Sequence, residues 1–114
     1  MCAAEVPCGA AAAQVEATSG VRIEPVSEEQ SVTDVLGKVQ AGEADAGLVY
    51  VTDVLAAGDK VEGIAFPESS SAVNTYPIGV LADSKHQDLA QEFVDLVTGA
   101  GGQKILADAG FAKP

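Results

Sequence analysis

Apolar positions along this chain follow two alternating rhythms, one of helices and one of strands. Val32, Val35, Leu36 and Val39 recur at i, i+3, i+4 and i+7, the core stripe of an amphipathic helix. That helix starts at Ser31, where Ser31-x-x-Asp34 resembles a capping box with Asp in its last place, and it runs to Gly42. Ala46-Gly47-Leu48-Val49-Tyr50-Val51 follows as a continuous apolar strand ending on a tyrosine. Thr52 or Asp53 can cap a short helix that ends at Gly58, Val61 to Phe66 reads as another strand, and Pro67 to Ser71 as a polar loop.

The flanks continue the alternation. A strand at Met1 to Ala4 leads into an alanine-rich helix from Pro7 to Thr18, closed by Ser19-Gly20, and a short strand near Val21 to Pro25 follows. Pro7 suits a first helical turn, but the capping place before it holds no Ser, Thr, Asp or Asn. The amides of Cys8, Gly9 and Ala10 therefore lack an obvious side-chain acceptor, and Gly9 lets another group approach the backbone closely. Val73 to Leu81 is extended, with Pro77 removing a ladder donor, so it reads as an edge or crossing strand. Ser84-x-x-Gln87 is a capping box for a helix to Thr98 that buries Leu89, Phe93, Leu96 and Val97. Gly99 ends it, and a last helix from Gly102 to Ala109 stops at Gly110, with Phe111 placed for the contact of a C-terminal cap.

Strands alternating with helices make the fold class α/β. The composition favours a mostly parallel sheet with helices on both faces, because a core of 47% hydrophobic residues with 4% aromatics and no Trp is built from Ala, Val, Leu and Ile. In such a sheet, strand ends and the helix starts beside them line a common crevice. The start at Ser31 and Val32, the start at Cys8 and Gly9, and the phenol of Tyr50 together offer neutral donors suited to an oxyanion. The alternative for the helix starts is water, and for Tyr50 an aromatic ring packed over a helix.

Charge changes this picture only at long range. A formal net charge of −11 argues against nucleic acid and anionic membrane surfaces as partners. Helix-terminal dipoles act within a turn, whereas scattered carboxylates are screened beyond about 8 Å at physiological salt. At 114 residues the chain has room for one compact domain, and no stretch approaches the ~20 apolar residues of a membrane span.

The strings VPCGAAA, SVTDVLGKV, GEADAGLVYVTDV, NTYPI and GQKILADAGF resemble, in order and across nearly the whole chain, the periplasmic molybdate-binding proteins of molybdate ABC transporters. The resemblance covers only the C-terminal half of that family's protein. It implies a type II periplasmic-binding-protein lobe at 1–72, a hinge crossing at 73–82, and C-terminal helices at 83–114 that belong to the first lobe. It implies a ligand, molybdate or tungstate, held by the backbone amides of Cys8 and Val32 and the hydroxyl of Tyr50, with Gly9 and Ser31 beside them. Two serines of the other lobe complete the family's shell and have no counterpart here. It further implies a membrane permease as partner, a periplasmic or extracellular, transporter-associated location, and no cofactor. Met1 is followed at once by domain sequence without a signal peptide, so the chain reads as a partial product of an exported parent.

Other candidate chemistry is sparse. Cys2 and Cys8 are small apolar residues, a local disulfide of an exported protein, or, for Cys8, a thiolate at a helix start acting in a redox domain. His86 is the single histidine and reads as a solvated helix residue, which leaves no metal cluster. Asp45, Asp53 and Asp59 fall in turns and caps. No catalytic triad order, Walker loop or Rossmann fingerprint occurs, so the reading is not an enzyme. A folded fragment without measurable binding is the remaining alternative. The stripe of Leu89, Phe93, Leu96, Val97, Ile105 and Leu106 should pack back on the rest of the chain or against a second copy, a swapped or helix-packed homodimer being preferred.

Overall fold

A computed structural model describes residues 1–113. In chain order its helices are α1 (Pro7–Ser19), α2 (Val32–Gln40), α3 (Val51–Ala57), α4 (Gln87–Thr98) and α5 (Ala100–Asp108), with 3₁₀ turns at Gly58–Lys60 and Pro67–Ser71. The chain divides into two compact units, Met1–Asn74 and the stretch from Thr75 onward.

The parallel sheet expected from the apolar runs does not form. Among the described residues the strand-type pairing is a lone parallel bridge between Cys2 and Glu29. The segments 21–25, 46–50, 62–66 and 72–80 belong to no strand or helix and have no ladder partners. Branched apolar side chains specify extension, but a ladder also needs a second strand in register, and that requirement is non-local. Several of their apolar side chains stay in solvent, Ile64, Val73 and Ile78 among them, while Leu48 and Val49 are half-buried. The tyrosine that closes the 46–51 run consequently ends no strand: it is the residue that opens α3.

Helix ends, by contrast, follow local chemistry. α1 starts on Pro7 after an uncapped Val6 and stops at Gly20, whose φ of 69° places it in the left-handed region that terminates helices. α2 is capped by Ser31, whose hydroxyl accepts from the Asp34 amide at 3.2 Å. The Pro67–Ser71 stretch, expected as loop, is wound by three serines bonding back to the carbonyls of Phe66, Pro67 and Glu68. The first unit's small core holds Cys2, Ala3, Ala12 and Val35. Residues 2–4 lie so close to α1 that a Cβ on Gly9 would fall 1.8 Å from the Ala3 carbonyl oxygen. Thr18 and Ser71, 2.9 Å apart, tie the 67–71 turn to α1, and α2 packs against α3.

In the second unit α4 packs on α5 across the single residue Gly99. The contact is tight at Gly102, where a Cβ would come within 2.4 Å of the Leu96 and Val97 carbonyl oxygens. The capping box at Ser84 is not made. Ser84 instead accepts from the His86 amide at 3.2 Å, and His86 is non-helical, so α4 begins only at Gln87. α5 ends in a Schellman cap: the Gly110 amide reaches the Ala107 carbonyl and the Phe111 amide the Leu106 carbonyl, both at 3.0 Å. The Phe111 ring meets Tyr76 edge-on, with centroids 6.0 Å apart. Much of the apolar stripe is open: Leu96 is 67% and Ile105 71% exposed, with Leu89 and Phe93 similarly open. No helix among the described residues is long and apolar enough to cross a membrane.

Candidate functional site

The segments that lead into the two helix starts singled out by the sequence are paired through their backbones. Ala3 donates to the Glu29 carbonyl at 2.8 Å and Glu29 to the Met1 carbonyl at 2.9 Å, so the segments leading into α1 and α2 run side by side in parallel. Cys8 lies six residues beyond Cys2, and Val32 three beyond Glu29. Across the same junction the Gln30 amide donates to the Glu5 carboxylate at 3.3 Å.

At the start of α1 the three amides left open by the sequence separate into two classes. Gly9 and Ala10 both donate to the Val6 carbonyl at 3.0 Å, so they are satisfied within the chain. The Cys8 amide has no acceptor among the described residues. Gly9 thus contributes close packing against Ala3 and no open donor. The Cys8 side chain is held by a disulfide to Cys2, with Cα atoms 5.7 Å apart. Among the described residues no cysteine is free, and the thiolate chemistry considered for Cys8 has no thiol to act from in this state.

At the start of α2 the Ser31 hydroxyl is fully engaged, accepting from the Asp34 amide and donating to the Asp34 carboxylate at 2.8 Å. The amide of Val32 has no acceptor among the described residues, as the first turn of any helix leaves its leading N–H groups outward. Tyr50 stands at the head of α3, the helix that packs against α2. Its amide donates to the Asp53 carboxylate at 2.9 Å, and its phenolic oxygen accepts from the Asn74 side-chain amide at 2.6 Å. The cap expected at Thr52 or Asp53 is displaced: Tyr50 is the N-cap, and Asp53 sits in the first turn, accepting from the Tyr50 amide. Asn74 was not legible as a site residue, since it lies 24 positions from Tyr50 in an extended segment and has no spacing relation to it.

Carboxylates dominate the local electrostatics. Glu5 precedes α1, and a backbone hydrogen bond, helped by Gln30, holds its carboxyl below the ordinary range. Lys38 is committed elsewhere, at 2.6 Å from Glu29 and 2.7 Å from the Ser27 hydroxyl. Its hydrogen bond pulls the Glu29 carboxyl down, with Ser27 adding to the effect, and Glu29 raises Lys38 in return. An anion at the helix starts would thus be held by peptide dipoles and neutral donors. An open cleft of about 600 Å³ lies next to this region, lined by Cys2, Gly9, Ala13, Glu16 and Arg22, but Val32 and Tyr50 do not line it. Its lining mixes small and apolar residues with the carboxylates of Glu16 and Glu28 and the Arg22 guanidinium, so it lies apart from the neutral donor set. Among the described residues no group of three or more His, Cys, Asp or Glu side chains converges to hold a metal ion.

Residues 4–112 match the family model described as bacterial extracellular solute-binding protein. The whole chain is 51% identical to a Mycobacterium tuberculosis protein named molybdate-binding protein ModA, of which it covers 44%, and it matches the Mycobacterium bovis protein of that name equally. It is also 35% identical over 81 residues to an Fe(3+)-binding periplasmic protein of Serratia marcescens, covering 24% of that chain. The chain thus spans under half the length of these curated relatives. No solved structure matches it at a significant level.

Proposed function

Because the chain belongs to the bacterial extracellular solute-binding proteins, we propose that it serves in the substrate-binding component of an ABC importer and binds a tetrahedral oxyanion, molybdate or tungstate. The mycobacterial relatives carry molybdate binding in their names, and they match along the whole of this chain. The observation that carries the reading is the pair of open amides, Cys8 and Val32, at helix starts that issue from paired parallel segments. The Tyr50 phenol on the neighbouring helix supplies a third neutral donor. On this reading the bound dianion is recognised by donor geometry rather than by cationic side chains, and a role in binding and delivery needs no reaction. A membrane permease is the partner, and the periplasm or cell exterior the place of action.

Hydrogen bonds to a charged group contribute about 1.5–3 kcal/mol each, so three such donors support weak binding. The test is calorimetric titration with molybdate, using sulfate as control, on the unmutated chain and on Tyr50→Phe. Selective molybdate binding that is weakened about tenfold to a hundredfold in the Tyr50→Phe variant supports the reading. Absence of heat up to millimolar molybdate overturns it for this chain.

A further inference from the structure

Tyr50 is held from two directions by groups that no local sequence signal connects. Its amide is fixed by Asp53 three residues on, and its hydroxyl receives the side-chain N–H of Asn74 at 2.6 Å. The segment that delivers Asn74 is itself anchored. The serine-wound turn 67–71 is tied to α1 through Thr18 and Ser71, and the Ala72 amide bonds back to the Ser69 carbonyl at 3.1 Å. Asn74 therefore stands at a defined place three residues beyond an anchored turn.

This contact has a direction. A phenol is both donor and acceptor, and in water its proton turns either way. Once one lone pair accepts from an amide N–H, the O–H must point away from that amide. We propose that Asn74 is a positioning residue of the oxyanion site, orienting the Tyr50 hydroxyl as a donor toward the bound anion. The proposal rests on the oxyanion reading given above. Asn74 discriminates in sign as well as in place: a carboxylate there would accept a hydrogen bond from the phenolic O–H, turn the oxygen's lone pairs toward the anion and add a negative charge.

The experiment is a calorimetric titration of the full chain with sodium molybdate, comparing the unmutated protein with Asn74→Ala, Asn74→Asp, Tyr50→Phe and the Tyr50→Phe/Asn74→Ala double variant. Asn74→Ala should weaken binding about threefold to tenfold, and Asn74→Asp by more than Asn74→Ala. In the Tyr50→Phe background Asn74→Ala should change nothing further, because its effect passes through the hydroxyl. Thermal unfolding midpoints of the Asn74 variants, followed in parallel, should stay near that of the unmutated chain, which separates positioning from a loss of fold. Unmutated affinity in Asn74→Ala, or full additivity with Tyr50→Phe, overturns the positioning role while leaving the oxyanion reading intact. If the unmutated chain does not bind molybdate, that reading fails and the positioning role fails with it.

Discussion

The surroundings of α1 and the α4–α5 pair show opposite relations between pattern and burial. α1 is an alanine-rich helix without an apolar stripe, yet Gly9 and Ala12 are buried in it, beside Cys2 and Ala3. α4 carries a pronounced stripe in Leu89, Phe93 and Leu96, yet neither it nor α5 buries a single residue among those described. The stripe states which face would gain by leaving water, at about 25 cal/mol per Å². Burial itself requires a partner surface, and around α1 the partner is the chain's own residues 2–4, admitted by small side chains.

Breaking the close approach at α1 should have the largest effect. In Gly9→Ala the new methyl meets the Ala3 carbonyl oxygen, a backbone atom that cannot rotate away. Even after the gain in helix propensity, we expect a loss of about 2–3 kcal/mol in urea unfolding. Gly37→Ala in α2, where the added methyl meets nothing within 4 Å, should instead stabilise by about 1 kcal/mol. Equal effects of the two substitutions would sink the close-packing account.

The contrast between buried and exposed apolar residues predicts a smaller difference. Val35 is 3% exposed, and Val35→Ala should cost about 2 kcal/mol by the same measurement. Leu96→Ala deletes a larger side chain but should stay within about 0.5 kcal/mol of the unmutated chain, since its side chain already faces solvent. A costly Leu96→Ala would mean that the α4 stripe is covered in solution.

The smallest expected effect lies in the Glu29–Lys38 pair, which is exposed to solvent on the Lys38 side. Glu29 is held below the ordinary carboxylate range, so its contribution is present above about pH 4.3 and is lost as pH falls through its lower folded value. Lys38 is raised, so its share persists below about pH 10.4 and is lost as pH climbs through its higher folded value. Lys38→Met should therefore unfold slightly earlier than the unmutated chain at pH 7, with the gap closing toward pH 2. A gap that does not change with pH would assign the difference to packing of the lysine stem.

Much of the helical structure was readable because its causes are local. The Ser31 cap, Pro7 at the first turn of α1, the left-handed Gly20 and the cap at Gly110 and Phe111 each depend on atoms within a few residues. Where two local bonds compete, as when Ser84 serves His86 instead of opening α4, the sequence pattern chose the wrong one. The open amides at Cys8 and Val32 follow from the same helix geometry. Gly9 and Ser31 beside them were legible as neighbours, but whether their own donors were engaged was not.

The sequence by itself determined that helices form at these places, most of their ends, and which of their faces are apolar. All of these are set by bonds spanning three or four residues. Only the tertiary structure decided that the apolar runs would remain unpaired, that Cys2 and Cys8 would join, and that Asn74 would reach Tyr50. Strand pairing, which did not occur, and the Asn74 contact, which did, both need distant segments to meet in one register and orientation. Local propensity favours extended backbone or an exposed amide and carries no information about which distant partner it will meet.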